Sequence, residues 1–454
     1  MSEITLHIGI DNHDTPQGGC TTHFSILLIR KLLQKGVEFI DYPNLIRLNP
    51  NIPWKTRGNG AVVLRFRVIE KQLEDLLELI RNESEAYTQI SRKTKYRQPG
   101  IAVFVGNNIP NEYRWLYKKA LTDVVTLDIA LKIAEKTQTI ILSNKQNRGL
   151  IGALSAIGGL IDYQEDYTFE LLAYRIIENM GKRERLVDEL SVKRVELKYK
   201  GYLFSNYDFE NDRMVITPHG PDPVLLGLRG DKPDILVKAF GEIKVFEPID
   251  FWCVFRTNQA TDAHLIKRNI STLRPYQTGL IEGEVLSKPK PEPGGHIRIY
   301  IKDSTGVIPV YFYEPTKKLR EIALKLIPGD YVRIGGSVRP PSSTHPKISF
   351  NAEKLEVIKL NRYIEHNPKC PQCGKTMKSA GKDKGYKCPR CGYYDPNARK
   401  ILVRIERSLK EGIYTPPISS MHHLTKPLSR YGRENNGKPF ILINEWCSFK
   451  LTGE

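Results

Sequence analysis

The chain has 454 residues, 69 Lys and Arg against 51 Asp and Glu, and a formal net charge of +18. That length predicts three or four domains with separate cores, and that charge points to a polyanionic partner such as nucleic acid. No stretch reaches the roughly 20 apolar residues of a membrane span; the most apolar run, Leu150–Ile161, is short and broken by glycines, so a membrane partner is excluded.

In chain order, Ile4, Leu6, Ile8 and Ile10 alternate with Thr5, His7 and Gly9, the pattern of a strand. A polar loop, Asp11–Cys20, follows, and Thr22 reads as the N-cap of a helix that ends at Gly36. Strand, Gly-rich loop and helix in this order place the loop where ligands bind. Asp11 and Asp14, with no basic residue between them, suit Mg²⁺ bound with phosphate oxygens. Gly18 and Gly19 let backbone N–H groups approach an anion at the helix start. The same residues also serve as turn and cap formers, and both readings stand at this point. The block Arg47–Gly60 holds three cations, three Asn and two Gly in fourteen residues, a poor core and a good polyanion clamp. Lys55 and Arg57 are its candidates for phosphate oxygens. Arg47, Asn49 and Asn59 join Asn12 as candidates to hold a nucleotide. Helices near Gln72–Ile80 and Trp115–Ala134, with strands at Ala61–Phe66, Ile101–Val105 and Thr139–Leu142, complete an α/β unit over residues 1–160.

Residues 161–272 read as a second α/β unit, with a helix at Phe169–Asn179 and strands near Val195–Leu203 and Asp250–Arg256. Its loops around His219, Asp222 and Asp262 mix turn formers with titratable groups. Residues 273–361 give strands Gly279–Leu286, His296–Lys302 and Gly306–Tyr313, a helix Thr316–Leu326, then strands Tyr331–Val338 and Leu355–Leu360. That order matches a five-stranded OB barrel, whose face binds oligonucleotides; an anonymous β-domain fits the pattern too.

In residues 362–454, Cys370-Pro-Gln-Cys373-Gly and Cys388-Pro-Arg-Cys391-Gly form two knuckles fourteen residues apart. Four thiolates at this spacing close on one structural Zn²⁺ with no position open for water. Residues 361–454 carry 18 Lys and Arg against 8 Asp and Glu, so this basic region is expected to grip a phosphate backbone. Cys20, Cys253 and Cys447 are scattered singles, and the start lacks a basic-plus-apolar leader, a cytoplasmic pattern.

Several blocks together resemble the TiaS family, archaeal tRNA(isoleucine) 2-agmatinylcytidine synthetases. They are Ile8–Thr22, Leu45–Gly60, Asp123–Leu127, Arg148–Ala153, Pro218-His219, Phe255–His264 and His423–Leu428, spread along the whole chain. The resemblance implies an ATP-dependent kinase-like catalytic domain (1–160), a ferredoxin-like domain (161–272), an OB-fold (273–361) and a zinc ribbon with basic tail (362–454). It implies a ligase that joins agmatine to C2 of the wobble cytidine of a CAU-anticodon isoleucine tRNA, with ATP consumed to AMP and phosphate products; no DNA substrate is expected. The γ-phosphate activates the C2 oxygen, and the agmatine amine displaces it. The family phosphorylates the Thr that follows Cys, here Thr21. Its usual Asp-Asp-Thr-Asp motif reads Asp11-Asn12-His13-Asp14, so one carboxylate is an amide. Agmatine's guanidinium calls for a carboxylate; Asp222 and Asp262, with His219, are the candidates. The competing reading is a non-catalytic OB-fold and zinc-ribbon nucleic-acid-binding protein, which has no need of the carboxylate–glycine loop.

Overall fold

The structure, a computed structural model, describes residues 2–15, 18–89, 97–161, 164–343 and 346–449. The first unit runs β1 (Glu3–Asp11), α1 (Thr21–Gln34), β2 (Glu38–Phe39), β3 (Asn44–Arg47), β4 (Gly60–Ile69), α2 (Leu73–Gln89), β5 (Gly100–Val105), α3 (Asn111–Thr122), α4 (Leu127–Lys136), β6 (Ile140–Ile141) and α5 (Gly149–Ile157). β1 is buried on both faces from Thr5 to Ile10 and lies antiparallel between β4 and β5. Pro16 and Gln17 of the loop that follows it lie outside the described residues.

The apolar run around Leu150 is α5, packed on β1. A Cβ on Gly9 would fall 1.9 Å from the Ala153 carbonyl oxygen, so glycine is what lets helix and strand approach this closely. Among the described residues no helix is long and apolar enough to cross a membrane.

The second unit comprises β7 (Thr168–Arg175), α6 (Glu189–Lys198), β8 (Tyr207–Asp208), β9 (Arg213–Met214), β10 (Val224–Gly230), α7 (Pro233–Phe240) and β11 (Ile249–Thr257). Its main strands extend the first unit's sheet, giving the order β10-β7-β11-β3-β4-β1-β5-β6 with β2 beside β4. The seam is parallel, Arg256 opposite Asn44 and Thr257 opposite Leu45. Polar side chains bolt it: Asn258 accepts the Arg47 N–H at 2.8 Å and donates to the Arg47 carbonyl at 2.9 Å. Buried Arg256 pairs with Asp41 and donates to the Leu160 carbonyl at 2.8 Å.

Four local expectations change. The segment expected as a helix from Phe169 is β7, buried at every position. A strand covered on both faces shows no alternation, so its pattern is indistinguishable from that of a buried helix. The segment around Val195 is α6 rather than a strand; it starts at Asp188, whose carboxylate accepts the Leu190 N–H at 3.3 Å, and buries Val192 and Val195 on one side. The single helix expected over Trp115–Ala134 is broken at Asp123, which is extended, and restarts after Thr126. Finally, α1 starts two residues early: Cys20 rather than Thr22 occupies the N-cap, and Thr21 is the first helical residue.

The third unit has β12 (Thr278–Val285), β13 (Lys290–Glu292), β14 (His296–Lys302), β15 (Val307–Phe312), α8 (Lys318–Ala323), β16 (Tyr331–Arg339) and β17 (Ser349–Lys359). β12 pairs with both β16 and β14, and β15 pairs parallel with β17, which closes the OB barrel. Ile281, Ile299, Val310, Ile334 and Leu355 fill it completely buried.

A two-stranded stalk, Tyr363–His366 against Ile401–Arg404, carries the cysteine knuckles outward. The chain then returns. Gly412–Tyr414 adds to the edge of β17, and the tail runs back to the central sheet. There the Trp446 carbonyl accepts the Val254 N–H at 2.8 Å. Arg430 of the tail is fully buried, held by Asp231 at 2.7 Å and Asp166 at 3.1 Å. The basic tail expected as a free cationic surface is thus partly a strap whose charges are already paired.

Candidate active site

The loop after β1 draws its acids inward. Asp11 Oδ1 accepts the Asn12 N–H at 2.7 Å. Burial, reinforced by the Asp14 charge, raises the Asp11 carboxyl well above the usual carboxylate range. Asn12 is held at φ 61° with its buried side-chain oxygen unpartnered among the described residues. Two neighbouring acids and a free amide oxygen fit a hard divalent cation, which would return Asp11 to its charged form. His13 plays no such part. It stacks on Phe24 at 4.1 Å, its Nε2 lies 2.9 Å from Ser84 Oγ, and burial lowers its pKa to about 3, so it is a neutral core ring.

Thr21 is buried at the start of α1, where free N–H groups and the helix dipole favour negative charge. Its hydroxyl accepts the His13 N–H at 3.2 Å and reaches Asp14 Oδ1 at 3.5 Å. Asp14 also accepts from Thr56 Oγ1 at 3.1 Å and faces Arg57 Nε at 3.6 Å. Arg57, at φ 42°, donates to the Thr15 carbonyl at 3.0 Å and forms a direct ion pair with Asp222 of the second unit. The Gly18 carbonyl accepts the Thr15 N–H at 2.9 Å. Gly19, at φ 76°, lies against Arg97, which a Cβ would meet at 2.6 Å.

These groups open into a cavity of about 520 Å³ between the first unit, the second unit and the tail. Asp14, Thr21, Arg47, Arg57, His219 and Asp222 all line it. Its floor is an ion network: buried Glu170 accepts from Arg229 Nε at 3.2 Å, lies 3.8 Å from Arg47 Nη2, and accepts from Gln259. His423 of the tail completes the wall, and the Arg47 charge, with burial, holds it neutral, well below the usual imidazole range.

Other expected residues fall elsewhere. Asn49 donates to the Tyr276 carbonyl at 2.9 Å, and Asn59 to the Asn49 carbonyl at 2.9 Å, so both amides stitch the loop rather than line the cavity. Lys55 lines a neighbouring groove of about 310 Å³. Asp262 is engaged by the Lys426 N–H at 2.7 Å, Tyr431 and Lys354, outside the cavity. Sequence reasoning does not single out Arg97, Glu170 or Arg229. Each is a single charge in an ordinary stretch of chain, and only folding brings them to the loop.

In the ribbon, the Sγ atoms of Cys370, Cys373, Cys388 and Cys391 all lie within 4.8 Å of one another. Cys370 and Cys391 are 3.5 Å apart, Cys373 and Cys388 3.4 Å. Four thiolates about 2.3 Å from one Zn²⁺ sit about 3.8 Å apart in a tetrahedron, so a cluster with two pairs near 3.5 Å and all within 4.8 Å fits zinc after small adjustments. The knuckles mirror each other: Gly374 N–H donates to the Cys370 carbonyl at 2.9 Å, and Gly392 N–H to the Cys388 carbonyl at 3.1 Å.

Family domain models match in chain order: a TiaS TCKD domain over residues 7–69, a TiaS FLD domain over 147–264, an OB-fold nucleic acid binding domain over 280–358, and a TiaS C-terminal zinc ribbon domain over 367–409. The isoleucine-tRNA 2-agmatinylcytidine synthetase TiaS of Staphylothermus marinus is 45% identical over 97% of this chain and 96% of its own. The protein of that name from Pyrococcus horikoshii is 42% identical over 94% and 97%. The crystal structure of a TiaS complex with isoleucine tRNA and ATP superposes with a TM-score of 0.80 at 35% identity, covering 94% of this chain and 97% of that one. A TiaS complex with the same tRNA, AMPCPP and agmatine gives 0.78 at 33% identity, with the same coverage. With a clamp of cations, a carboxylate–threonine loop, an OB barrel and a four-cysteine ribbon in one continuous match, this chain belongs to the TiaS family.

Proposed function

We propose that this protein is an ATP-dependent ligase that joins agmatine to C2 of the wobble cytidine in a CAU-anticodon isoleucine tRNA, giving 2-agmatinylcytidine. The observation that carries this reading is the Thr21 hydroxyl, held at a helix N-terminus beside Asp14 in a cavity walled by cations.

Asp11 and Asp14, with the Asn12 carbonyl, would hold Mg²⁺, which supplies charge neutralisation for phosphoryl transfer. Thr21 Oγ is positioned to take a phosphoryl group, with Gly18, Gly19 and Arg97 around it. Arg57 pairs with Asp14 and Asp222 and turns to phosphate when the nucleotide enters. Lys55 and Arg47 add positive charge along the entry. The target base must leave its stack to reach this depth. Going from ATP to AMP releases two phosphoryl groups: one passes to Thr21 Oγ and on to water, the other to the C2 oxygen; the agmatine nitrogen then attacks C2, phosphate leaves with that oxygen, and the nitrogen loses a proton. Asp222, released from Arg57, is the carboxylate for agmatine's guanidinium, with His219 beside it. Asp262 is already saturated and is set aside. The OB barrel and the ribbon grip the tRNA, and the ribbon's Zn²⁺ is structural. A tRNA substrate and unpaired thiols fit a cytoplasmic enzyme.

The test is direct. Purified protein with ATP, Mg²⁺, agmatine and CAU-anticodon isoleucine tRNA should form AMP and a cytidine heavier by the agmatine adduct in nuclease digests analysed by mass spectrometry. tRNA binding with neither product would favour the non-catalytic reading.

A further inference from the structure

Trp54 is 58% exposed, in a block otherwise dense with polar groups. Its ring lies 5.7 Å from that of Tyr276, tilted by 56°. Tyr276 is half-buried, whereas most of the Trp54 side chain gains nothing from core burial and is left open to a partner. The pair is nonetheless rigidly mounted. Tyr276 sits at φ 69°, costly for a bulky residue, with its N–H given to the Val338 carbonyl at 2.9 Å and its carbonyl taken by Asn49 at 2.9 Å. Asn51, three residues before Trp54, donates to the same Val338 carbonyl at 3.0 Å. Strand β16 of the OB barrel thus braces both rings.

The groove of about 310 Å³ adjoins the cavity and runs towards the segment that carries Trp54. It shares Arg47, Arg57, Gly58 and His423 with the cavity and continues to Pro50 and Lys55, the residue next to Trp54. Arg47, Lys55 and Arg57 line it; Arg47 and Arg57 already face Glu170, Asp14 and Asp222, which leaves Lys55 as the cation with no carboxylate against it among the described residues, available to a phosphodiester. Lys55 also lies near enough to Arg339, at the end of β16, for the two charges to interact. A groove cation beside an exposed aromatic side chain is the combination that holds single-stranded nucleic acid by stacking.

We infer that Trp54, braced by Tyr276, is a stacking platform for a nucleotide adjoining the wobble cytidine, whose phosphate lies in the Arg47–Lys55–Arg57 groove. The platform keeps the anticodon loop splayed while the reacting base reaches into the cavity. This inference rests on the tRNA-modifying function proposed above, which the parent protein's own AMP and adduct formation tests separately.

The experiment uses the full-length protein and an anticodon stem–loop as probe. The fluorescence change on RNA binding, compared between parent and Trp54→Phe, isolates the Trp54 signal; stacking should quench it. Trp54→Ala should raise the KM for tRNA roughly 5- to 150-fold, the range one base–aromatic stack supplies. Trp54→Phe should stay within about threefold of the parent, and ATP binding should be unchanged in both. Stem–loops with an abasic site on either side of the wobble position should lose the quench in at least one case. Were the parent to modify tRNA while Trp54→Ala kept the parental KM, or were the quench to survive both abasic sites, the platform would be ruled out.

Discussion

Thr21 and Thr22 look alike in sequence, and their surroundings separate them. Thr21 Oγ1 faces His13 and Asp14, whereas Thr22 Oγ1 lies 3.0 Å from Cys20 Sγ. Thr21→Ala leaves the His13 N–H without its acceptor, a stability cost of about 1–3 kcal/mol. Adduct formation should fall far more, by about a hundredfold or beyond, if the hydroxyl carries phosphate. Thr22→Ala should stay within about tenfold. Mass spectrometry of the parent after ATP treatment should find phosphate on Thr21; none there, together with a parental rate in Thr21→Ala, would reduce this threonine to a structural group. His7 gives a pH prediction. Its Nε2 lies 2.9 Å from the Gly106 carbonyl, its Nδ1 has no partner among the described residues, and burial beside Arg65 lowers its pKa to about 4. The unfolded chain binds that proton from about pH 6.5 downward, so the stability is fully present above 6.5 and is lost as pH falls towards 4. The loss is on the order of 3 kcal/mol. Chemical denaturation of His7→Phe should show a shallower decline than the parent over that window.

At the scale of elements, the ribbon depends on its metal. Its core is only Cys370, Met377, Tyr386 and Cys388, too small to hold a fold by burial alone. Cys388→Ser should lose zinc by elemental analysis and weaken tRNA binding, with ATP binding intact. The stalk allows a cleaner excision. His366 pairs directly with Ile401, so residues 367–400 can be replaced by an Asn-Gly turn. That removes nine Lys and Arg against two Asp, seven net positive charges. tRNA affinity should drop and its salt dependence flatten when measured at two ionic strengths; unchanged values would place the grip elsewhere. The cysteine spacing makes this element legible, because metal geometry is local. β7 and α6 are easily misread because burial on both faces and a short helix leave little periodic signal, although Asp188 at the N-cap is there to be read.

At the scale of the molecule, the tail departs furthest from its composition. It is basic, yet Lys426, Arg430 and Arg433 reach back to Asp166 and Asp231, and His423 walls the cavity. Truncation near residue 362 would therefore remove part of the candidate active site along with the ribbon. Arg430→Ala should cost about 1.5–3 kcal/mol, because it removes charge-assisted bonds to Asp231 and Asp166, which keep Arg433 and Lys426 as partners. Thermal unfolding should show the loss with zinc content unchanged; a parental transition would mean that the strap is not coupled to the core.

Sequence by itself determined what depends on near neighbours. The β1–loop–α1 unit, the OB strand order and the four thiolates were readable because alternation, caps and knuckles act over a few residues. Asp14, Thr21, Arg47 and Arg57 stood out for the same reason, as dense polar loops beside glycines. The tertiary structure decided the rest. It drew Glu170, Arg229 and His423 into one cavity, sent Asn49, Asn59 and Asp262 to structural posts, and merged two units into one sheet through β3 and β11. Apart from the local Asn59–Asn49 bond, those outcomes depend on pairings between residues about 60 to 380 positions apart. No local pattern records such pairings, since burial and charge are satisfied only once the distant partner arrives.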